Sequence, residues 1–429
     1  MAQKRIRIPH NFDPSQRPYQ LECLASNARF KFYKIHRKAG KTALLVNEQV
    51  ADTFKEKGIH WYVGPTYRQA KEIVWRDPEM LKKFYPPELI EKKNESELTI
   101  ENIIGSVLGI KGADDPDSLR GPNPKTVTLD EVYLMKKEIV TEIILPIAFA
   151  NPTMKLTLAG TPKATGKYWE DLFQEWKRRM EAGDPNYFVM ELKASESGIL
   201  SPEMLADAQA TMTQEAFEQE FEVKYFGDGG VVFRGVDNIV EGPYKEPPYD
   251  GRFTYKFGID LAMHVDWTVC CGINRQTHRL EIFDRYNQID YNLQKARIEA
   301  MLRRYGMADA NVDQTGVGAP IVQDLQDRGL NVNGITFTES MKRNLVTNLA
   351  IWIEQRKIKI PAIPELIDEL KIFGYEVLPS GRIRYGAPEG YHDDCVMALA
   401  LAVWQLGSKM PPHTLEPKGK STSSRLSFS

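Results

Sequence analysis

The residues whose types and spacing suit chemistry fall into two sets. In the first, His36-Arg37-Lys38-Ala39-Gly40-Lys41-Thr42 lies between a short apolar run and a helical pattern. At a strand-to-helix turn, backbone N–H groups and the helix N-terminus can cradle phosphates. Gly40 lets the backbone approach closely, Lys41 can reach the β- and γ-phosphates of ATP, and the Thr42 hydroxyl can ligate Mg²⁺. The first glycine usual in such loops is absent, and Ile35 holds its place. Downstream, Val127-Thr128-Leu129-Asp130-Glu131 is an apolar strand ending in two carboxylates. Asp130 suits the Mg²⁺-holding role, and Glu131 suits the base that polarises an attacking water. Each feature alone has a plainer reading, as a polar turn or a solvated acidic cap. Their pairing within one α/β region favours nucleotide chemistry. Arg37, inside the loop, can offset charge on the γ-phosphate, and Arg120 in Asp117–Gly121 is a second candidate that would act in trans on a neighbouring subunit. Gln20, in Arg17-Pro18-Tyr19-Gln20, has an amide able to both donate to and accept from an adenine edge.

The second set is made of carboxylates again. Asp260 ends Phe257-Gly258-Ile259-Asp260, Asp313 ends Asn311-Val312-Asp313, and His392-Asp393-Asp394 opens the last helix. Carboxylates converging from two strand ends and a helix start can hold two divalent ions, which together activate a water and stabilise the leaving oxygen of a phosphodiester. All-oxygen ligands suit Mg²⁺ or Mn²⁺ rather than zinc. An aspartate at a helix start is also a good N-cap, so one of Asp393 and Asp394 has a capping reading, and the choice between them stays open. Asp266 is an auxiliary ligand candidate, and Lys342 can orient the scissile phosphate. Arg382 and Arg384 alternate on a hairpin before the last helix and are the first candidates among the basic residues for DNA backbone contacts.

Elements of the right kind surround both sets. The first half alternates short apolar runs with helical patterns, as an α/β parallel sheet does. Strands are expected at 29–35, 60–63, 125–129, 154–159 and 187–192, and 201–222 is mainly helical, with Ser201 as N-cap and Pro202 at the first helical position. Residues 227–251 are rich in Gly and Pro, as a connector is. Three strands follow at 254–260, 268–274 and 280–286, and then helix and strand alternate, which is the order of a ribonuclease-H-like domain. The boundaries expected are 1–200, 201–250 (lid or linker), 251–408 and a disordered tail over 409–429. No apolar run approaches the ~18 residues needed to span a bilayer. The runs at 139–150 and 395–406 are core-length. The four cysteines have no zinc-like spacing, and a reduced cytoplasmic compartment is the simplest reading. A net charge of −2 gives no global sign of nucleic acid, so that inference rests on motifs.

In order and kind, these motifs resemble the large terminase subunits of tailed double-stranded DNA phages. The resemblance is carried by the Walker A variant with Arg37, by Tyr62-Val63-Gly64-Pro65-Thr66-Tyr67-Arg68-Gln69-Ala70-Lys71, by Ser118–Gly121 ahead of the acidic pair, and by Leu158-Ala159-Gly160-Thr161-Pro162. It implies an ASCE, RecA-like P-loop ATPase domain followed by a ribonuclease-H-like nuclease. Thr161 would couple hydrolysis to movement, Arg37 and Arg120 would act at the ATPase site, and Mg²⁺ or Mn²⁺ would serve both sites. It also implies a ring on the portal protein of a procapsid, in the host cytoplasm, pumping double-stranded DNA and working with a small terminase subunit. A helicase or repair nuclease is the rival enzyme, but no second RecA-like pattern is visible. An ATP-regulated DNA-binding scaffold with a dead nuclease ranks lower, because the required carboxylates are all present.

Overall fold

A computed structural model of the chain describes residues 15, 17–227, 229–262, 266–316, 318–378 and 382–407. The basic N-terminal residues Lys4, Arg5 and Arg7 and the expected tail lie outside them. The chain divides into two compact units. The first runs to Val231 and takes back Gly374–Arg384; the second holds Val232–Phe373 and the chain from Tyr385.

The first unit is built on one eight-stranded sheet. Its strands are β1 (Phe30–Ile35), β2 (Ile59–Gly64), β3 (Ile90–Asn94), β4 (Thr99–Asn102), β5 (Val107–Gly112), β6 (Thr126–Asp130), β7 (Lys155–Gly160) and β8 (Tyr187–Leu192), in the order β3-β4-β5-β2-β6-β7-β1-β8. From β5 to β8 every neighbouring pair is parallel. The β1 and β6 strands are buried along their whole length, as strands covered on both faces are. The antiparallel edge β3-β4-β5 was not among the expected strands; β3 is Lys- and Glu-rich and mostly exposed, β4 has only four residues, and the apolar run Val107–Ile110 of β5 was passed over. The 201–222 segment is helical, with Ser201 capping Met204 N–H, but it breaks at Thr213, whose side chain caps a second helix, Gln214–Glu220.

Two further strands follow, β9 (Gly229–Val231) and β10 (Val240–Pro243). The Gly- and Pro-rich stretch read as a connector is thus partly core. Phe233, Val236 and Ile239 are buried among the apolar residues of the second unit. That unit's main sheet joins β11 (Tyr255–Asp260), β12 (Thr268–Asn274), β13 (Arg279–Tyr286), β14 (Asp309–Asp313) and β15 (Val332–Ile335) in the order β13-β12-β11-β14-β15. The β13-β12-β11 ladder is antiparallel, and β11-β14-β15 is parallel. Cys270 and Cys271 on β12 point to opposite faces, and both are buried, as alternation requires. β16 (Ile360–Ala362) pairs with β10. The expected hairpin is β17 (Gly374–Val377) and β18 (Ile383–Gly386), and β17 also pairs with β9.

The last helix, Asp394–Gly407, is the spine of the second unit. Its residues 395–403 are all buried, so it is apolar on every side, as a core helix is. It lies directly on β11 at Gly258. A Cβ there would overlap the Ala398 carbonyl oxygen and the Ala402 amide nitrogen and stand 2.8 Å from Leu401 Cβ. This close approach brings the helix start to the strand that ends in Asp260. Gly258→Ala therefore has to push backbone from backbone. It should destabilise the second unit by about 3 kcal/mol in denaturant unfolding, whereas Gly251→Ala, which meets nothing nearer than 3.9 Å, should leave the unfolding midpoint within error of wild type.

Candidate active sites

In the parallel part of the first sheet, the strands β1, β6 and β7 end at one edge, and their loops supply the first site. β7 lies between β1 and β6. The strand carrying Thr161 at its end therefore separates the phosphate-loop strand from the acidic strand. The phosphate loop turns through Lys38 (φ 69°) and Gly40 (φ 91°), both left-handed, and the helix Lys41–Lys55 starts on Gly40. Left-handed φ is ordinary for glycine and strained for lysine.

Behind the loop, Arg17 Nε and the Tyr19 hydroxyl donate to the Ala39 carbonyl at 3.1 and 2.8 Å, and Gln20 Nε2 donates to the Gly40 carbonyl at 3.0 Å. Gln20 is fully buried, and its Oε1 has no partner among the described residues. In front, Lys41 Nζ donates to Glu131 Oε1 at 2.5 Å and lies 3.5 Å from Asp130 Oδ1. Burial alone would lower the Lys41 pKa, but the two carboxylates outweigh it and the net shift is upward. Asp130 Oδ2 accepts from the Thr42 hydroxyl at 2.9 Å and from the Tyr62 hydroxyl at 2.7 Å. Burial, then the charge of Asp130, pushes the Tyr62 phenol well above its ordinary range, so it stays a donor. Glu131 sits at φ 58°, in the left-handed region, at the turn out of β6.

The sequence-derived set Gly40, Lys41, Thr42, Asp130 and Glu131 is thus brought together. Tyr62 joins it; it stood in the quoted motif but carried no assigned role. Thr161 is close behind: its hydroxyl donates to the Ile35 carbonyl at 3.1 Å, bridging the ends of β7 and β1. The two arginines stand apart. The Arg37 side chain is 62% exposed and leans on Glu220 at 3.8 Å, and Arg120, also exposed, faces Asp117 at 3.5 Å.

The second site forms where β11, β14 and the last helix meet. Asp260 is pushed well above the carboxylate range by burial, then by the charges of Asp394, Asp313 and Asp393, with Lys342 opposing. Asp394 is pushed up to about 6 by burial and by Asp266 and Asp393. Mutual repulsion of this kind is what a cation site has before its cation. The tightest donor group among the described residues is not the set expected. Asp266, His392 and Asp394 bring one ligand atom each within 4.8 Å of one another. Asp266, the auxiliary candidate, lies in this group, and so does His392, which adjoins the aspartate pair and was not among the candidates.

Asp393 and Asp394 also separate. Asp394 Oδ2 accepts from Trp267 N–H at 3.2 Å, and Asp393 Oδ2 pairs with Lys342 Nζ at 2.9 Å. The helix's early N–H at Cys395 donates to Glu369 Oε2 at 2.8 Å, so a distant glutamate takes up the capping work that seemed open to the aspartates. Asp313 does start a turn, accepting from Thr315 N–H and Oγ1 at 2.8 and 2.6 Å, while its charge still acts on Asp260. Lys342 lies in the helix Glu339–Glu354. Arg384 pairs across the hairpin with Glu376 at 2.8 Å, and Arg382 is exposed.

Known proteins share both halves of this arrangement. Residues 35–237 match the family described as "Terminase large subunit, T4likevirus-type, N-terminal", and residues 257–406 match "Terminase RNaseH-like domain". The large terminase subunit of Thermus phage G20c is 26% identical over 91% of this chain and 87% of its own. That of Thermus virus P23-45 is 27% identical over the same shares. Among solved structures, the large terminase nuclease of thermophilic phage G20c with bound magnesium is 31% identical, covering 41% of this chain and 97% of that one, with a TM-score of 0.39. The large terminase of another thermophilic bacteriophage, in complex with ADP, is 17% identical over 90% and 97%, with a TM-score of 0.49. Two successive family matches, in the order the two sites occur, leave one conclusion: the chain belongs to the large terminase subunits.

Proposed function

We propose that this large terminase subunit hydrolyses ATP at the Lys41–Asp130–Glu131 site to drive double-stranded DNA into a procapsid, and cuts concatemeric DNA at the Asp260–Asp394 site. The observation that carries the reading is the Lys41–Glu131 contact, a phosphate-loop lysine held directly on a base-competent carboxylate. The γ-phosphate of ATP would draw the ammonium away and free Glu131 to accept a proton from the attacking water. Thr42 and Asp130 would hold Mg²⁺, and Tyr62 would keep Asp130 in place. Gln20 fixes the loop through Gly40, and its unpartnered Oε1 is the acceptor left for an adenine amino group. Arg37 and Arg120 are the candidate charge-neutralising groups, Arg120 toward a neighbouring subunit of a ring. Thr161 would pass loop movement from β1 to β7.

In the second unit, the residues that would hold divalent ions are Asp260, Asp313 and Asp394, with Asp266 and His392 completing the set. The four carboxylates fit Mg²⁺ or Mn²⁺, and the His392 imidazole is the one donor that departs from an all-oxygen set. Such ions, when bound, would make a water nucleophilic near neutral pH and stabilise the leaving oxygen. Lys342, steadied by Asp393, would orient the scissile phosphate, and Arg382 and Arg384 would hold DNA by its backbone. The portal protein, the small terminase subunit and the ring itself, in the host cytoplasm, are the partners this reading requires.

Plasmid cleavage with Mg²⁺ or Mn²⁺ separates the two sites. Asp260→Ala should lose cleavage and keep ATPase, while Lys41→Ala should do the reverse; cleavage by Asp260→Ala at the wild-type rate would remove the metal site from this position. Glu131→Gln should bind nucleotide with unchanged affinity and hydrolyse it about 10²- to 10⁴-fold more slowly.

The raised carboxylates also fix a pH dependence. A folded-state pKa of about 6 for Asp394, against an ordinary 3.8, means the folded form binds more protons between those values. The stabilisation from protonation is therefore full below the lower value and lost as pH rises through the upper one. Mg²⁺ should replace the protons. In thermal melts of metal-free protein, added Mg²⁺ should raise the melting temperature at about pH 7 and much less at about pH 5, and Asp260→Asn should shrink the difference.

A further inference from the structure

One buried group in the first unit is used by none of the roles above. Tyr133 follows the catalytic pair by two residues and is almost fully buried. Its hydroxyl donates to Glu170 Oε2 at 2.9 Å, on the helix Lys167–Glu181. Burial, then the charge of Glu170, pushes this phenol far above its ordinary range, so it remains a donor. Glu170 in turn accepts from Lys34 Nζ at 3.0 Å and from Gln174 Nε2 at 2.8 Å. Lys34 is on β1, two residues before the phosphate loop, and also reaches Glu191 on β8 at 2.9 Å.

The Tyr133 ring is seated with equal strictness. A Cβ at Gly160 would come 2.8 Å from Tyr133 Cδ2, and one at Gly166 would overlap Cδ1. These two glycines bracket the segment that begins with Thr161. A second tie runs beside the first, because Trp169 Nε1 of the same helix donates to the Met135 carbonyl at 3.0 Å. The short turn Val132–Leu134 that leaves Glu131 is therefore bolted at Tyr133 and Met135 to one helix, and through Glu170 to the strand feeding the phosphate loop.

Glu131 needs such support. It occupies the left-handed region, which costs a non-glycine residue of order 1 kcal/mol or more and persists only where the surroundings over-determine it. We propose that Tyr133 and Glu170 are positioning residues of ATP hydrolysis: their hydrogen bond, anchored by Lys34, holds the turn that aims the Glu131 carboxylate. The proposal rests on the reading of Lys41, Asp130 and Glu131 as the hydrolytic site.

The test is steady-state ATPase kinetics of the full chain in wild type, Tyr133→Phe, Glu170→Ala, Glu170→Gln, the Tyr133→Phe/Glu170→Ala double variant and Lys41→Ala, each with its melting temperature. Tyr133→Phe keeps the ring between the two glycines and removes only the hydroxyl. It should lower kcat about tenfold, as loss of roughly 1.4 kcal/mol of transition-state stabilisation does, with KM for ATP within twofold of wild type. Glu170→Gln, whose amide oxygen still accepts from the phenol, should recover most of the kcat lost in Glu170→Ala. The double variant should be no slower than Glu170→Ala alone, since both changes break one link. A kcat for Tyr133→Phe within twofold of wild type, or losses that multiply in the double variant, would overturn the latch. ATPase persisting in Lys41→Ala would instead overturn the site on which it rests. If Tyr133→Phe melts early, the kcat of Glu170→Gln relative to Glu170→Ala decides: recovery upholds the latch, and equal loss removes it.

Discussion

Negative charge crowded into a small volume has to be held there by something stronger than its own repulsion. Both units of this chain solve that problem with the carboxyl edge of a sheet and a glycine. Strands that run side by side end at the same edge, so residues far apart in sequence arrive together without any attraction between them. In the first unit, β1 and β6 deliver the phosphate loop and the Asp130–Glu131 pair to one edge, with β7 between them. In the second, β11 and β14 deliver Asp260 and Asp313, and the Gly258 contact lets the buried helix Asp394–Gly407 add its own acidic start. Apolar burial behind each edge supplies the stabilisation that offsets the repulsion in front of it.

The two edges resolve their charge differently, and the difference fits their chemistry. At the first, a cation is built into the chain: Lys41 covers both carboxylates, so the acidic pair is neutralised until a phosphate competes for the ammonium. At the second, Lys342 pairs with Asp393, and its charge only partly offsets the burial and repulsion that raise Asp260, while Asp394 is raised by burial and by Asp266 and Asp393. A site of the first kind suits a switch driven by a polyanionic ligand. One of the second kind suits permanent divalent ions, which release the repulsion on binding.

Residues that only support these edges are easily passed over. Tyr62, Tyr133 and Glu369 each hold a reactive carboxylate or the backbone next to it through a single buried hydrogen bond. In a low-dielectric interior such bonds are strong when made and costly when lost. Geometry at both sites therefore depends on groups that have no chemistry of their own.

Much of this was legible in the sequence. The strands that carry Asp130 and Asp260 are mainly apolar and close on a carboxylate, a pattern fixed by burial along the strand and exit from the sheet at its end. Ribonuclease-H order was visible in the succession of three strands and then alternating helix and strand, and the order of the motifs pointed to the family. The antiparallel edge β3-β4-β5 was not, because β3 is charged and mostly exposed and β4 is too short to show a hydrophobic period, and β5, though apolar, stands beside them. Nor was the membership of 232–239 in the second core, because the Gly- and Pro-rich composition of 227–251 as a whole masks the buried Phe233, Val236 and Ile239. Only the tertiary structure decided which of Asp393 and Asp394 faces His392 and Asp266, that Glu369 caps the helix in their stead, and that Tyr133 reaches Glu170. Neighbours in sequence differ by a rotation about the helix axis, and partners across a core are set by packing, so neither is written in local order. The sequence by itself determined which residues can react; the packing of strand ends and one buried helix decided which of them meet.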